Sequence, residues 1–158
     1  MLIKVPGLTD LERLTEIHLN AFGAQHSWSS AAIESALASE RVAAIGIWIE
    51  EAWGGFALVQ RVEPEAEILT FAIDPEAQNK GYGQALLGAV LQEVEGRGVT
   101  RIFLEVAADN DPALALYRGA GFTEDGRRSG YYSREGVQSV DAILMSRGIA
   151  GHTESKEA

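Results

Sequence analysis

No cysteine occurs in the 158-residue sequence, which removes disulfide frameworks, thiolate-bound zinc, iron–sulfur clusters and thiol nucleophiles together. Long apolar runs are missing as well. The stretch Val42 to Ile49 is among the longest, far short of the roughly 20 residues a membrane helix needs, and the start Met-Leu-Ile-Lys-Val-Pro has no signal-peptide layout. A soluble, cytoplasmic protein with no membrane partner is expected. Basic residues are in deficit: 13 Lys and Arg against 23 Asp and Glu give a formal charge of -10. Such a chain repels a phosphate backbone, which argues against direct nucleic-acid binding, and it suits a positively charged peptide or amine. The three histidines, His18, His26 and His152, are scattered without carboxylates at ligand spacing, so no metal site is expected. Repeats, linkers and low-complexity blocks are absent too. What remains is 46% hydrophobic residues in a length suited to one core, and this composition excludes disorder for most of the chain.

Leu2 to Val5 reads as a short strand, and Thr9 with Glu12 reads as a capping box opening a helix whose apolar stripe is Leu11, Leu14, Ile17, Ala21 and Phe22. A second short helix starts at Trp28-Ser29-Ser30. Two β-rich runs, Val42 to Ile49 and Trp53 to Arg61, predict a hairpin, and Ile68 to Asp74 a further strand. From Gly81 the period changes: Leu86, Leu87, Val90, Leu91 and Val94 mark a helix face that stops at Gly96-Arg97-Gly98. A strand over Thr100 to Ala107 follows, then a helix opened by Asp111-Pro112 and closed by Gly119-Ala120-Gly121, then strands near Thr123 to Tyr132 and Gln138 to Met145. One βαβ unit inside an antiparallel series predicts an α/β (α+β) fold, a mixed and mostly antiparallel sheet with helices on both faces. Residues 1–147 form the expected single domain, and 148–158, polar and poor in large apolar side chains, a flexible tail.

Between the strand ending at Asp74 and the helix near Gly81 lies Pro75-Glu76-Ala77-Gln78-Asn79-Lys80-Gly81-Tyr82-Gly83-Gln84. Its two glycines allow a ligand close to the backbone, and the free amides of a helix start suit a phosphate, with Lys80 adding a cation. A plain strand-to-helix turn has the same look. A Walker loop requires Gly-Lys-Ser or Gly-Lys-Thr where Gly83-Gln84-Ala85 stands. The dinucleotide fingerprint fails at Leu86, in place of its third glycine, and at the long stretch separating strand from glycines.

The segment Gln78-Asn79-Lys80-Gly81-Tyr82-Gly83 resembles the pyrophosphate loop, Arg/Gln-x-x-Gly-x-Gly/Ala, of the GNAT family of N-acetyltransferases. Asn110 followed by Ala115-Leu116-Tyr117 and Gly121-Phe122 resembles that family's second signature. Within it the chain is most similar to the ribosomal-protein-alanine N-acetyltransferases, on Phe22 with Trp28-Ser29, Glu65-Ala66-Glu67-Ile68-Leu69, Leu104-Glu105-Val106, Arg127-Arg128 before Tyr131-Tyr132, and Asp141 to Met145. The likeness spans about residues 8 to 147. It departs at Ala107, where these enzymes often carry Arg, and at Asp109, where they often carry Ser.

The resemblance implies acetyl-CoA as co-substrate, no metal, and a basic protein N-terminus, that of a small-subunit ribosomal protein, as acceptor. It assigns Glu105 as general base and Tyr117 as general acid. It also implies that the backbone of Phe71, Ala72 and Ile73 lines the pantetheine arm, that Asn79, Lys80, Gly81, Tyr82, Gly83 and Gln84 cradle the pyrophosphate, and that Asn110 holds the far part of the CoA arm. From the residues alone, Glu105 is equally a solvent-facing strand residue, Tyr117 a core anchor and Asn110 an ordinary helix start. Transfer to a small amine or a lysine, or a silent acyl-CoA-binding module, are the rival functions.

Overall fold

The computed structural model describes residues 1–134 and 137–150. Its elements are β1 (Leu2–Lys4), α1 (Leu11–Phe22), α2 (Ser30–Leu37), β2 (Val42–Ile49), β3 (Ala52–Val62), β4 (Glu65–Ile73), α3 (Tyr82–Val94), β5 (Arg101–Ala107), α4 (Asp111–Gly119), β6 (Thr123–Arg134) and β7 (Val137–Gly148). The strands form one seven-stranded sheet in the order β1-β2-β3-β4-β5-β7-β6. Every neighbouring pair is antiparallel except β4 with β5, joined by the α3 crossover. This is the mixed, mostly antiparallel sheet expected from the sequence. Among the described residues no helix is long and apolar enough to cross a membrane.

Two cores flank the sheet. Leu86, Leu87, Val90 and Val94 of α3 and Leu114 and Tyr117 of α4 pack on Ile102, Leu104 and Val106 of β5 and on Ile143 and Met145 of β7. On the other face Leu14 and Ile17 of α1 and Ile33 of α2 pack on Phe56 and Leu58 of β3 and Ala72 of β4. Burying a side chain of this size stabilises by roughly 1.5–3 kcal/mol, and β3 and β4, which contribute residues to both cores, are anchored on both faces. His18 of α1 lies within the second core, 1% exposed. Its Nδ1 accepts the Trp28 N–H at 3.1 Å, which leaves the proton on Nε2, 2.7 Å from Thr70 Oγ1. Burial lowers its pKa from 6.5 to about 4, so the imidazole is neutral.

Most strand boundaries differ from the sequence reading by a residue or two, and three differences have a structural cause. The Thr9–Glu12 capping box is replaced by a short 3-10 turn over Leu8–Asp10, in which the Asp10 carboxylate accepts the Gly7 N–H at 2.8 Å, and α1 begins at Leu11. Strand β4 begins at Glu65 rather than Ile68, because Glu65 to Glu67 pair with strands on both sides. Strand β7 runs on to Gly148, and Ile149 is buried with its N–H donating to the Thr100 carbonyl at 2.8 Å. The expected tail therefore loses its first residues to the sheet, and 151–158 lie outside the described residues.

Candidate active site

Strands β4 and β5 pair only through Glu65↔Arg101, Ala66↔Ile102 and Glu67↔Phe103. Beyond that point each remains bonded to its outer neighbour, β4 to β3 as far as Ile73↔Gly55 and β5 to β7 as far as Ala107↔Ala142. The register supplies the cause of the parting. Leu58 pairs with Thr70 but Val59 with Ile68, so Leu69 is an extra residue in β4, a bulge that bends the strand. The bulge also inverts the side-chain phase: Ala66 and Ile68 face the α3 core before it, whereas Phe71 and Ile73 do so after it. The inner edge of β4 beyond Glu67 is left with backbone groups no strand satisfies, a row available to an extended ligand.

At the end of β4 the chain turns through a second polar lining. Buried Asp74 accepts the Glu76 N–H at 3.0 Å, while Arg13 donates to the Trp53 carbonyl at 2.9 Å and lies 3.3 Å from Asp74 Oδ2. Gln78 Nε2 donates to the Ile73 carbonyl at 2.9 Å, closing the loop on the strand it left. Asn79 (φ 63) and Gly81 (φ 85) are both left-handed, and α3 opens directly after Gly81. Its first intrahelical bond is from the Ala85 N–H to the Gly81 carbonyl, 3.3 Å, so the amides of Tyr82 to Gln84 precede the ladder at the positive end of the helix dipole. Strand edge and amide cluster together fit a ligand with an extended arm and a diphosphate.

Glu105 and Tyr117 stand on opposite faces of the sheet. Glu105 shares its face with Phe103, where α1 and α2 give no cover, and its Oε2 lies 2.7 Å from Arg128 Nη2 of β6. Arg128 in turn sits 4.9 Å over the Tyr131 ring. Tyr117 is 6% exposed, between Phe71 (centroids 6.0 Å apart) and Phe122 (5.7 Å). Burial raises its pKa above the usual tyrosine range, and the neighbouring Tyr132 adds to this, so the phenol keeps its proton at neutral pH. A carboxylate and a protonated phenol thus flank the sheet's parting from its two sides.

Of the remaining residues singled out from sequence, Phe71, Ala72 and Ile73 form the unpaired edge and Asn79 to Gln84 form the turn and first helical residues. Asn110 caps α4, its Oδ1 accepting the Ala113 N–H at 3.3 Å. Several contributors escaped sequence reading. Glu67 is the last residue of β4 paired with β5, on the Glu105 face; its carboxyl is pushed above the usual range by partial burial and then by Glu105, while Arg128 opposes the shift. Register alone brings these two carboxylates together, so composition gave no sign of them. The bond from Gln78 to Ile73 and the ion pair of Arg128 are likewise products of tertiary structure.

The family model described as "Acetyltransferase (GNAT) family" matches residues 11–122. The [ribosomal protein bS18]-alanine N-acetyltransferase of Escherichia coli K12 is 42% identical over 95 residues, 60% of this chain and 64% of that protein. The N-alpha-acetyltransferase RimI of Mycobacterium tuberculosis is 36% identical over 142 residues, 87% of this chain and 86% of that protein. The crystal structure of the ribosomal-protein-S18-alanine N-acetyltransferase from Escherichia coli superposes with a TM-score of 0.87 at 34% identity, covering 94% of each chain. The matched stretch spans just under two thirds of the E. coli K12 relative, 64%, and 38% of a Mycobacterium leprae relative.

Proposed function

Since the chain belongs to the acetyltransferase (GNAT) family, we propose that it transfers the acetyl group of acetyl-CoA to the α-amine of a protein N-terminus, an alanine on a small-subunit ribosomal protein. The observation that carries this reading is the parting of β4 from β5 after Glu67 and Phe103, with an ionisable carboxyl on one side and a protonated phenol on the other. Acetyl-CoA supplies an activated thioester. The free edge at Phe71 to Ile73 hydrogen-bonds its extended arm, and a main-chain amide there polarises the thioester carbonyl. The turn and helix start at Asn79 to Gln84 hold the diphosphate. Asn110 meets the far part of the arm through the amide nitrogen its cap leaves over.

An α-ammonium with pKa ~8 is a far easier nucleophile than a lysine at ~10.4, by roughly 3 kcal/mol of deprotonation. Glu105 draws its proton, directly or through water, and the amine attacks the thioester carbon. The carbon–sulfur bond breaks, and Tyr117 protonates the departing thiolate. Over the cycle the ammonium gives up two protons, one to the base and one that restores Tyr117. Transfer is direct, because no cysteine is present to carry the acetyl group. The relatives named for ribosomal protein bS18 support this acceptor class, as does a groove of about 490 Å³ on the Glu105 face, lined also by Glu65, Glu67 and Asp125.

Incubating the chain with acetyl-CoA and peptides whose α-amines are free or blocked tests the reading by mass. One acetyl group on the α-amine of alanine-starting peptides is expected. Equal activity on blocked peptides or on free polyamines contradicts it.

A further inference from the structure

His18 has no part in the chemistry just described, yet both of its ring nitrogens are committed. Nδ1 accepts the Trp28 N–H at 3.1 Å and Nε2 lies 2.7 Å from Thr70 Oγ1, so one buried imidazole on α1 joins the α1–α2 connection to strand β4. Around it stand the rings of Phe22, Trp28 and Phe56, their centroids 4.6, 5.8 and 6.2 Å away. An apolar side chain would fill that space without the cost of stripping water from a polar ring. It could not fix two segments distant in sequence by directed bonds.

Both ends of the link border the cleft. Thr70 follows the extra residue Leu69 and precedes Phe71, where the free edge of β4 begins. A slip of one residue at this bulge turns over the faces of the strand, and the Nε2–H bond selects the register in which Thr70 faces α1 and Phe71 the α3 core. At the other end, the connection over residues 23–29 lies on the sheet face that Glu105 shares, and it holds His26. The His26 ring packs edge-on against Tyr132 of β6, centroids 6.1 Å apart, and Arg128 of the same strand holds Glu105. Thr70 thus belongs to the cofactor side of the cleft and the connection to the acceptor side.

We infer that His18 is a positioning residue with two separable tasks: its Nε2–H bond to Thr70 sets the β4 edge for acetyl-CoA, and its Nδ1 bond from Trp28 sets the α1–α2 connection for the acceptor. The inference rests on the N-acetyltransferase reading and adds no atom to its chemistry.

Substitution can divide the imidazole. In His18→Asn the amide oxygen takes the place of Nδ1 and keeps an acceptor for Trp28, with no donor reaching Thr70; in His18→Gln the amide nitrogen takes the place of Nε2 and keeps the donor, with no acceptor for Trp28. Steady-state kinetics with acetyl-CoA and an alanine-starting peptide reads each side, with melting curves as a check on folding. His18→Asn is expected to raise KM for acetyl-CoA about tenfold, as loss of one hydrogen bond allows, and to leave the peptide KM within about twofold. His18→Gln is expected to do the reverse. Thr70→Val should behave as His18→Asn does, and Thr70→Ser, which keeps the hydroxyl, as wild type; this pair decides the matter if the His18 variants do not fold. Leu14→Ala, which opens a cavity in the same core, should lower the melting temperature and move neither KM. A residue that only filled the core would raise both constants or neither. Either of those results in folded His18 variants, or a Thr70→Val enzyme with wild-type KM for acetyl-CoA, overturns the inference. A wild-type chain that binds CoA but acetylates no peptide overturns the N-acetyltransferase reading itself, an outcome distinct from an active enzyme indifferent to His18.

Discussion

The two faces of β5 are made from one seven-residue strand and behave as different materials. Toward α3 and α4 it presents Ile102, Leu104 and Val106, all buried. Toward the other side it presents Phe103, Glu105 and Ala107, all half-buried, over a region that α1 and α2 do not reach. The first set locks the crossover helix to the sheet. The second lies in a groove where carboxylates and a guanidinium replace apolar packing. Alternation thus separates stability from chemistry within a single strand. A charged residue on the half-open face is affordable there and would be ruinous one position along.

If that division holds, substitutions on the two faces fail differently. Glu105→Gln should reduce kcat/KM by about 10²–10⁴, the range for a lost general base, with little change in thermal stability, and Tyr117→Phe should cost about 10²-fold or more through the leaving thiolate. Steady-state kinetics with melting curves separates the effects. Leu104→Ala, on the buried face, should instead cost about 2–5 kcal/mol in denaturant unfolding. Below the midpoint of that transition the surviving folded enzyme should retain its kcat. A Leu104 variant of full stability but little activity would break the comparison.

The core under α1 supplies a pH test. The folded pKa of His18, about 4, lies below its unfolded value of 6.5, so the unfolded state binds the extra proton and stability falls as pH drops from about 6.5 through 4. The loss approaches about 3 kcal/mol at full protonation. Urea titrations at pH 7, 5.5 and 4.5 should record the decline, and His18→Asn should flatten this contribution. The smallest effect concerns Asn110. Asn110→Asp preserves the cap on α4, worth about 1 kcal/mol, but removes the amide donor. It should raise KM for acetyl-CoA severalfold without lowering stability. Asn110→Ala should do both.

Most elements could be read in advance because their signals are local. The apolar period of α3, the Asp111-Pro112 start of α4 and the hairpin of β2 and β3 each lie in one short stretch of chain, the longest running from Val42 to Val62. The glycine turn was legible for the same reason, since left-handed backbone at Gly81 is a one-residue requirement. What escaped depends on register between distant strands. The extra residue Leu69 sits in a strand-favouring run, Ile68-Leu69-Thr70-Phe71, where nothing marks a bulge, yet it swaps the faces of all that follows and opens the cleft. Glu67 and Glu105 meet only because β4 and β5 pair at Glu67↔Phe103, a contact closed over the whole α3 crossover. His18 reads from sequence only as one of three scattered histidines. Its partners, Thr70 and Trp28, come from other elements.

The most direct trial of the account is a crystal structure of the chain with CoA bound. The account predicts the diphosphate on the amides of Asn79 to Gln84, the arm along Phe71 to Ile73, and the sulfur in the gap between β4 and β5 within reach of the Tyr117 hydroxyl. A diphosphate bound elsewhere, or a sulfur outside that gap with Glu105 and Tyr117 turned from it, would contradict the account.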